Sequence, residues 1–189
     1  MSDLCRELIL GGQKSGKSRR GEELAAAWLG HSDTHRAVLI ATGQAHDDEM
    51  RARIARHRRD RALRVPGLCT VEEPRALAEA IRAHASPQTL VLVDCLTLWL
   101  TNLLMPADRV AGTPADIDTA TEALVRELGA ATGPIVLIGN EIGLGVIPLG
   151  REVRAFVDAL GTLNQRVAAA CDRVTLMAAG LPLTLIEPE

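Results

Sequence analysis

Apolar residues recur along the chain in short unbroken runs, and each run gives way to a longer stretch of mixed, helix-forming composition. Leu8-Ile9-Leu10 ends in glycines and is followed by helix formers over residues 17–29, which predicts strand, loop and helix in that order. The alternation repeats. Residues 37–41 predict a second buried strand, 47–61 a helix, 68–71 a third strand, and Pro74 opens a helix reaching to about residue 84. Leu90-Val91-Leu92-Val93-Asp94 is a continuous aliphatic run, expected of a strand covered on both faces in the middle of a sheet. Further on, the pattern predicts a helix over 114–131 entered at Thr113 or Pro114, a strand over 134–138 and a long helix over 151–171. Two closing strands, 174–177 and 183–186, are separated by a turn around Gly180 and Pro182. Residues 105–114 are the least patterned and predict a surface loop. Strands alternating with helices imply an α/β fold with a mostly parallel sheet and helices on both faces.

Composition narrows this picture. At 189 residues the chain suits one well-buried domain, taken here as residues 1–189. Hydrophobic residues make up 47% and charged residues 24%, the balance of a globular protein with an aliphatic core. Tyrosine is absent and the aromatic residues are Phe156, Trp28 and Trp99, too few for a stacking platform on single-stranded nucleic acid. A net charge of -3 supplies no global basic field either, so a nucleic-acid partner is not expected. Cys5, Cys69, Cys95 and Cys171 are widely spaced and read as buried, reduced thiols. No run approaches the length of a membrane span or a signal core, so a cytoplasmic location is expected.

The glycines after the first strand carry the clearest chemistry. Gly11-Gly12-Gln13-Lys14-Ser15-Gly16-Lys17-Ser18 matches G-x-x-x-x-G-K-[ST] between a strand and a helix, the context this phosphate-binding loop requires. It makes the fold one of the P-loop NTPase type. Backbone N–H groups curl inward at phosphate oxygens, the helix N-terminus adds its positive end, Lys17 reaches the β- and γ-phosphates and Ser18 offers a hydroxyl to Mg²⁺. GTP or ATP is the expected substrate. Asp94, ending the buried strand, is either a second Mg²⁺-proximal carboxylate or a cap for Thr97 and the next helix.

Residues 47–61 start acidic and end basic, complementing a helix dipole. Met50, Ile54 and His57 fall on the inward stripe, with arginines around the histidine. Two readings of His57 stand on the residues alone. Nearby cations favour a neutral imidazole able to attack phosphorus; alternatively the ring only packs at a helix end. The arginines, similarly, either form a solvated face or neutralise a triphosphate and its leaving group.

The phosphate loop, Asp47-Asp48-Glu49-Met50 with Arg53-Ile54 and His57, and Asp94-Cys95-Leu96-Thr97-Leu98-Trp99 together resemble the bifunctional adenosylcobinamide kinase/adenosylcobinamide-phosphate guanylyltransferase family of cobalamin biosynthesis. So do Asn140-Glu141-Ile142-Gly143-Leu144-Gly145-Val146-Ile147-Pro148, Arg154 with Phe156 and Asp158, and Gly161 with Asn164-Gln165. The resemblance implies two reactions at one site: ATP- or GTP-dependent phosphorylation of adenosylcobinamide, then transfer of GMP from GTP to the resulting phosphate through a guanylylated histidine, at the position of His57. It implies nucleotide contacts from Ala41, Thr42, Gly43, Arg58, Arg59, Asp60, Arg61, Glu72 and Asp94. It also implies adenosylcobinamide and its phosphate as the small-molecule partners, and a homo-oligomer, a trimer. Lys14 stands where arginine is common in the family, replacing a forked contact by a point charge. Glu141 reads as a metal ligand, a base or a turn cap, and Arg154 with Asp158, at i, i+4, as a local ion pair. The alternative reading is a P-loop kinase of another small alcohol, without guanylyl transfer.

Overall fold

The structure is a computed structural model that describes residues 6–45, 48–105 and 116–187, apart from the side chains of residues 49, 50, 53, 54, 57 and 58. β1 (Arg6–Gly11) leads through the glycine loop into α1 (Lys17–His31), followed by β2 (Arg36–Ala41), α2 (Asp48–Arg64) and β3 (Leu68–Glu72). Then come α3 (Leu77–His84), β4 (Thr89–Asp94), α4 (Leu96–Leu104), α5 (Ile117–Ala130), β5 (Ile135–Ile138) and α6 (Arg151–Ala168), and the chain closes with β6 (Arg173–Ala178) and β7 (Leu181–Ile186). The strands form a seven-stranded sheet in the order β3-β2-β4-β5-β1-β6-β7. Every pairing is parallel except that of β6 with β7, so the expected α/β, mostly parallel architecture is what the chain adopts.

The strands divide their side chains between two cores with the period of two that a pleated strand imposes. Leu8, Leu10, Val91, Val93, Ile135 and Leu137 join α3, α4, α5 and α6 on one face. Ile9, Leu90, Leu92, Val136 and Ile138 join α1 on the other. On that second face Gly21 brings α1 close to the sheet: a Cβ there would lie 2.8 Å from Leu92 Cδ1 and 3.1 Å from Ile138 Cδ1.

Several boundaries differ from the pattern-based expectation, each for a local reason. The helix expected from residue 114 begins at Ile117, because the Asp116 carboxylate accepts from the N–H groups of Asp118 and Thr119 and so caps the first turn. The helix expected to reach residue 171 ends at Ala168, where Ala170 N and Cys171 N turn back to Val167 O and Ala168 O. Before α3, Glu73 Oε1 accepts from Arg75 N and Ala76 N, which leaves Pro74 in the turn ahead of the helix. α4 was not expected. The predicted loop is described only at its exposed first residue, Met105; 106–115 lie outside the described residues. Of the cysteines expected to be buried, Cys95 is, but Cys69 is exposed and Cys171 half-buried, since β3 is an edge strand; Cys5 lies outside the described residues. No described helix is long and apolar enough to cross a membrane.

Candidate functional site

Because β1, β2, β3, β4 and β5 are parallel, their carboxyl ends bring Gly11, Ala41, Glu72, Asp94 and Ile138 to one edge of the sheet, with Ala41 in register with both Glu72 and Asp94. Ligands in open α/β sheets bind at this edge. The phosphate loop is built there. Gly11 (φ +150°) could not carry a side chain, since a Cβ would fall 2.5 Å from Met177 O and 2.6 Å from Ser15 Oγ. Gly16 (φ +104°) and Lys14 (φ +57°) also take the left-handed region, which curls the loop around its own centre. Its rear is held by Gly180 N, which donates to Ser15 O at 3.0 Å. Gly12, Gln13 and Lys14 are exposed, and Ser18 is half-buried in the first turn of α1.

Lys17 is only 8% exposed. Its ammonium donates to Gly11 O at 2.9 Å and Gly12 O at 2.6 Å, which keeps it inside the loop. Burial lowers its pKa from 10.5, while the neighbouring Cys95 and Asp94 act in the opposite direction. The Ser15 hydroxyl oxygen is buried with no partner among the described residues. A buried unpaired hydroxyl is costly, and in a curled phosphate loop a phosphate oxygen is the group that would satisfy it. Residues and cradle therefore fit a nucleotide polyphosphate. They fit Mg²⁺ as well, because this ion takes one or two protein oxygens and completes its shell with phosphates and water; Ser18 and Asp94 offer that number.

Of the segment 41–43, Thr42 is fully buried and its hydroxyl is already engaged. It donates to Cys95 O at 2.7 Å and accepts from Cys95 N at 2.8 Å, while Thr42 O accepts from Asn102 Nδ2 at 2.7 Å. Thr42 thus joins the end of β2 to the β4–α4 turn and fixes where Asp94 stands. Trp99 Nε1, donating to Arg75 O at 2.8 Å, anchors the same turn of α4. Cys95 itself is pushed up to about 11, chiefly by burial and then by the adjacent Asp94, so it is a neutral thiol.

α2 carries residues 57–61. His57 and Arg58 have side chains outside the described residues, as do Met50 and Ile54. Arg59 and Asp60 are exposed, as is Glu72. Arg61, grouped with the nucleotide contacts, is 8% exposed and pairs with Glu22 of α1 at 3.3 Å. Arg64 adds a second contact to the same carboxylate at 2.8 Å. The structure therefore brings Arg61 to α1 through Glu22, whereas the loop, Ser18 and Asp94 converge at the edge. Sequence reading passed over Glu22 and Asn102. The available signal for Glu22 was its place beside Gly21 and one turn before Ala25, both of which face the core.

The segment after β5 folds back on the loop: Glu141 N donates to Gly11 O at 3.1 Å. The Glu141 carboxylate caps a turn by accepting from Gly143 N at 2.8 Å. Arg154 makes no described ion pair with Asp158; its guanidinium donates to Pro148 O and Leu149 O at 2.9 and 2.6 Å. Asn140 is tied on both sides, by Thr97 Oγ1 accepting from its N–H at 2.9 Å and by Asn164 Nδ2 donating to its carbonyl at 3.1 Å.

A family model described as cobinamide kinase / cobinamide phosphate guanyltransferase matches residues 7–185. The bifunctional adenosylcobalamin biosynthesis protein CobP of Pseudomonas aeruginosa is 50% identical over 181 residues, covering 95% of this chain and 96% of that protein. The bifunctional adenosylcobalamin biosynthesis protein CobU of Escherichia coli is 37% identical over 182 residues, covering 92% and 96%. Among solved structures, the flagellar accessory protein FlaH of Methanocaldococcus jannaschii superposes with a TM-score of 0.55 at 11% identity, covering 98% of this chain and 80% of FlaH. That likeness concerns the fold alone.

Proposed function

The chain belongs to the cobinamide kinase / cobinamide phosphate guanyltransferase family, and from that premise we propose that its two reactions share the phosphate loop and divide at His57. It is an enzyme of cobalamin biosynthesis with kinase and nucleotidyltransferase activities, using nucleoside triphosphates on cobinamide. In the kinase step the acceptor hydroxyl oxygen bonds to the γ-phosphorus of ATP or GTP as the bond to the β-phosphate oxygen breaks; the hydroxyl proton passes to solvent and the diphosphate leaves. Lys17 and the loop amides hold the charge that develops on the departing oxygens. Mg²⁺, which Ser18 and Asp94 would hold, supplies further neutralisation of the phosphates.

In the second step an imidazole nitrogen of His57 bonds to the α-phosphorus of GTP, pyrophosphate leaves, and the phosphoramidate then passes GMP to the cobinamide phosphate oxygen, freeing the histidine. The observation that carries this reading is a register between two helices. α1 follows β1 and α2 follows β2, each leading on to another parallel strand, so both helices run back along the sheet. Glu22 lies one turn beyond Ser18, and its ion-pair partner Arg61 lies one turn beyond His57. With a rise of about 1.5 Å per residue, pinning the two partners together sets the His57 turn level with the Ser18 turn. A nucleophile at that level is beside the phosphates.

Incubation with GTP labelled at the α-phosphate tests this. Acid-labile, alkali-stable label is expected on the parent protein and none on His57→Ala; an active guanylyltransferase that never acquires label would refute it. A P-loop kinase of another alcohol, by contrast, would keep full activity after His57→Ala. Residues 1–189 act as one catalytic domain in this reading, and the setting is cytoplasmic. The exposed apolar side chains Leu181, Leu183 and Leu185 on edge strand β7 support self-association, for which a trimer is the expected state; sedimentation measures it.

A further inference from the structure

Beside the phosphate loop lies a groove of about 800 Å³ between the segment after β5, α6 and the end of β7. Nothing in the nucleotide chemistry uses it. Its size is that of a small-molecule site, and its inner end is shared with the loop, because Leu10 lines it and Glu141, whose N–H bonds to Gly11 O at 3.1 Å, forms its wall. We propose that this groove is the corrinoid subsite, holding the cobinamide ring against Gly161 of α6 so that the acceptor hydroxyl reaches the phosphate loop; the assignment of occupant rests on the cobinamide activity above.

Two features of the groove lack an explanation among the described residues. Gly161 sits within α6, where glycine weakens a helix relative to alanine, yet a Cβ built on it meets no atom within 4 Å. No described neighbour requires the missing side chain. An occupant that packs on the helix backbone would. Asn164, one turn further on, is 4% exposed. Its Nδ2 is fixed on Asn140 O, and its Oδ1 is buried without a donor among the described residues. The corrinoid periphery carries primary amides, whose N–H groups are the donors this oxygen lacks. The remaining wall presents Leu144 and Ile147, 80% and 78% exposed, beside the polar side chains of Arg154, Asp158 and Gln165. An apolar macrocycle fringed by amides matches both kinds of lining at once.

The test is steady-state kinase kinetics with dicyanocobinamide as acceptor in Gly161→Leu and Asn164→Asp, alongside self-guanylylation from GTP and the solution mass. A Cβ at 161 meets no described atom within 4 Å and leucine favours the helix over glycine, so folding is expected to be retained, which circular dichroism checks. The KM for cobinamide is expected to rise tenfold or more in Gly161→Leu, with an unchanged KM for GTP and unchanged mass. A cobinamide KM within twofold of the parent overturns the proposal. So does a change in mass with no change in that KM, which would assign the groove to contact between copies. Failure of the parent to self-guanylylate would strike the His57 reading alone, because the kinase KM still reports on the groove.

Discussion

Replacing Glu22 by methionine tests the helix register on which the placement of His57 depends. Glu22 is 4% exposed and Arg61 8%, so the substitution leaves a guanidinium buried opposite an apolar side chain. Breaking a buried pair from one side costs about 3–5 kcal/mol. The Arg64 contact, with its side chain half exposed, adds no more than about 1 kcal/mol. For a domain of 189 residues, each kcal/mol is worth about 2–4 °C in Tm, so a fall of about 10 °C is expected by scanning calorimetry. The control is the double variant Glu22→Met/Arg61→Met. If the penalty is an orphaned charge, removing both partners restores most of the stability, because apolar replacement of a whole buried pair is near neutral. The functional signature is separate: among molecules that remain folded, guanylyl transfer slows more than phosphoryl transfer, since the clamp positions α2 and the kinase step does not use it. A single variant within about 1 kcal/mol of the parent, or a double variant no better than the single, would refute the reasoning.

Other outcomes follow from the same geometry. Gly11→Ala puts a methyl 2.5 Å from Met177 O, and the loop must open; GTP affinity measured by titration calorimetry is expected to fall about tenfold or more, roughly 1.4 kcal/mol. GTP affinity should also fall as pH rises through the lowered pKa of Lys17, below the ordinary 10.5, because phosphate binds the protonated amine; Lys17→Arg should carry that edge to higher pH. Thr42→Val removes the hydroxyl that both donates to and accepts from Cys95 and is expected to cost about 2 kcal/mol in urea unfolding. Maleimide at pH 8, read by peptide mass spectrometry, should label exposed Cys69 while sparing Cys95 and Cys171, whose thiols burial pushes up to about 11 and about 12.

The strand ends were legible because they are marked locally: β1 and β4 each contain an unbroken aliphatic run, and the loop after β1 carries its own glycines. α4 was not, because Leu96, Trp99, Leu100 and Leu103 are buried along with Thr97 and Asn102, so no polar face gives the helix period away. The start of α5 was misjudged in favour of Pro114, whereas a carboxylate at 116 holds the first amides. Long-range polar pairing is the part no window of sequence contains. Arg61 looks like one more solvated arginine until α1 supplies Glu22 from 39 residues away, and no local pattern shows that the Thr42 hydroxyl is shared with Cys95. Arg154 and Asp158 show the converse, a spacing that suggests an ion pair while the loop carbonyls take the guanidinium.

The two-core alternation of the sheet sets the mechanical tolerance of the whole site. β4, which ends at Asp94, and β1, which leads into the loop of Lys17, flank β5, two strand spacings or about 9.6 Å apart along the hydrogen-bonding direction. Their separation is gauged by which aliphatic side chain sits above and which below. A slip of β4 by one residue would move Asp94 about 3.3 Å along the strand and exchange Leu90 and Leu92 with Val91 and Val93 between the cores. Leu92 and Val136, which never meet a nucleotide, are therefore the calipers of the phosphate site, and an ill-fitting replacement at either should be read first as a loss of catalytic alignment.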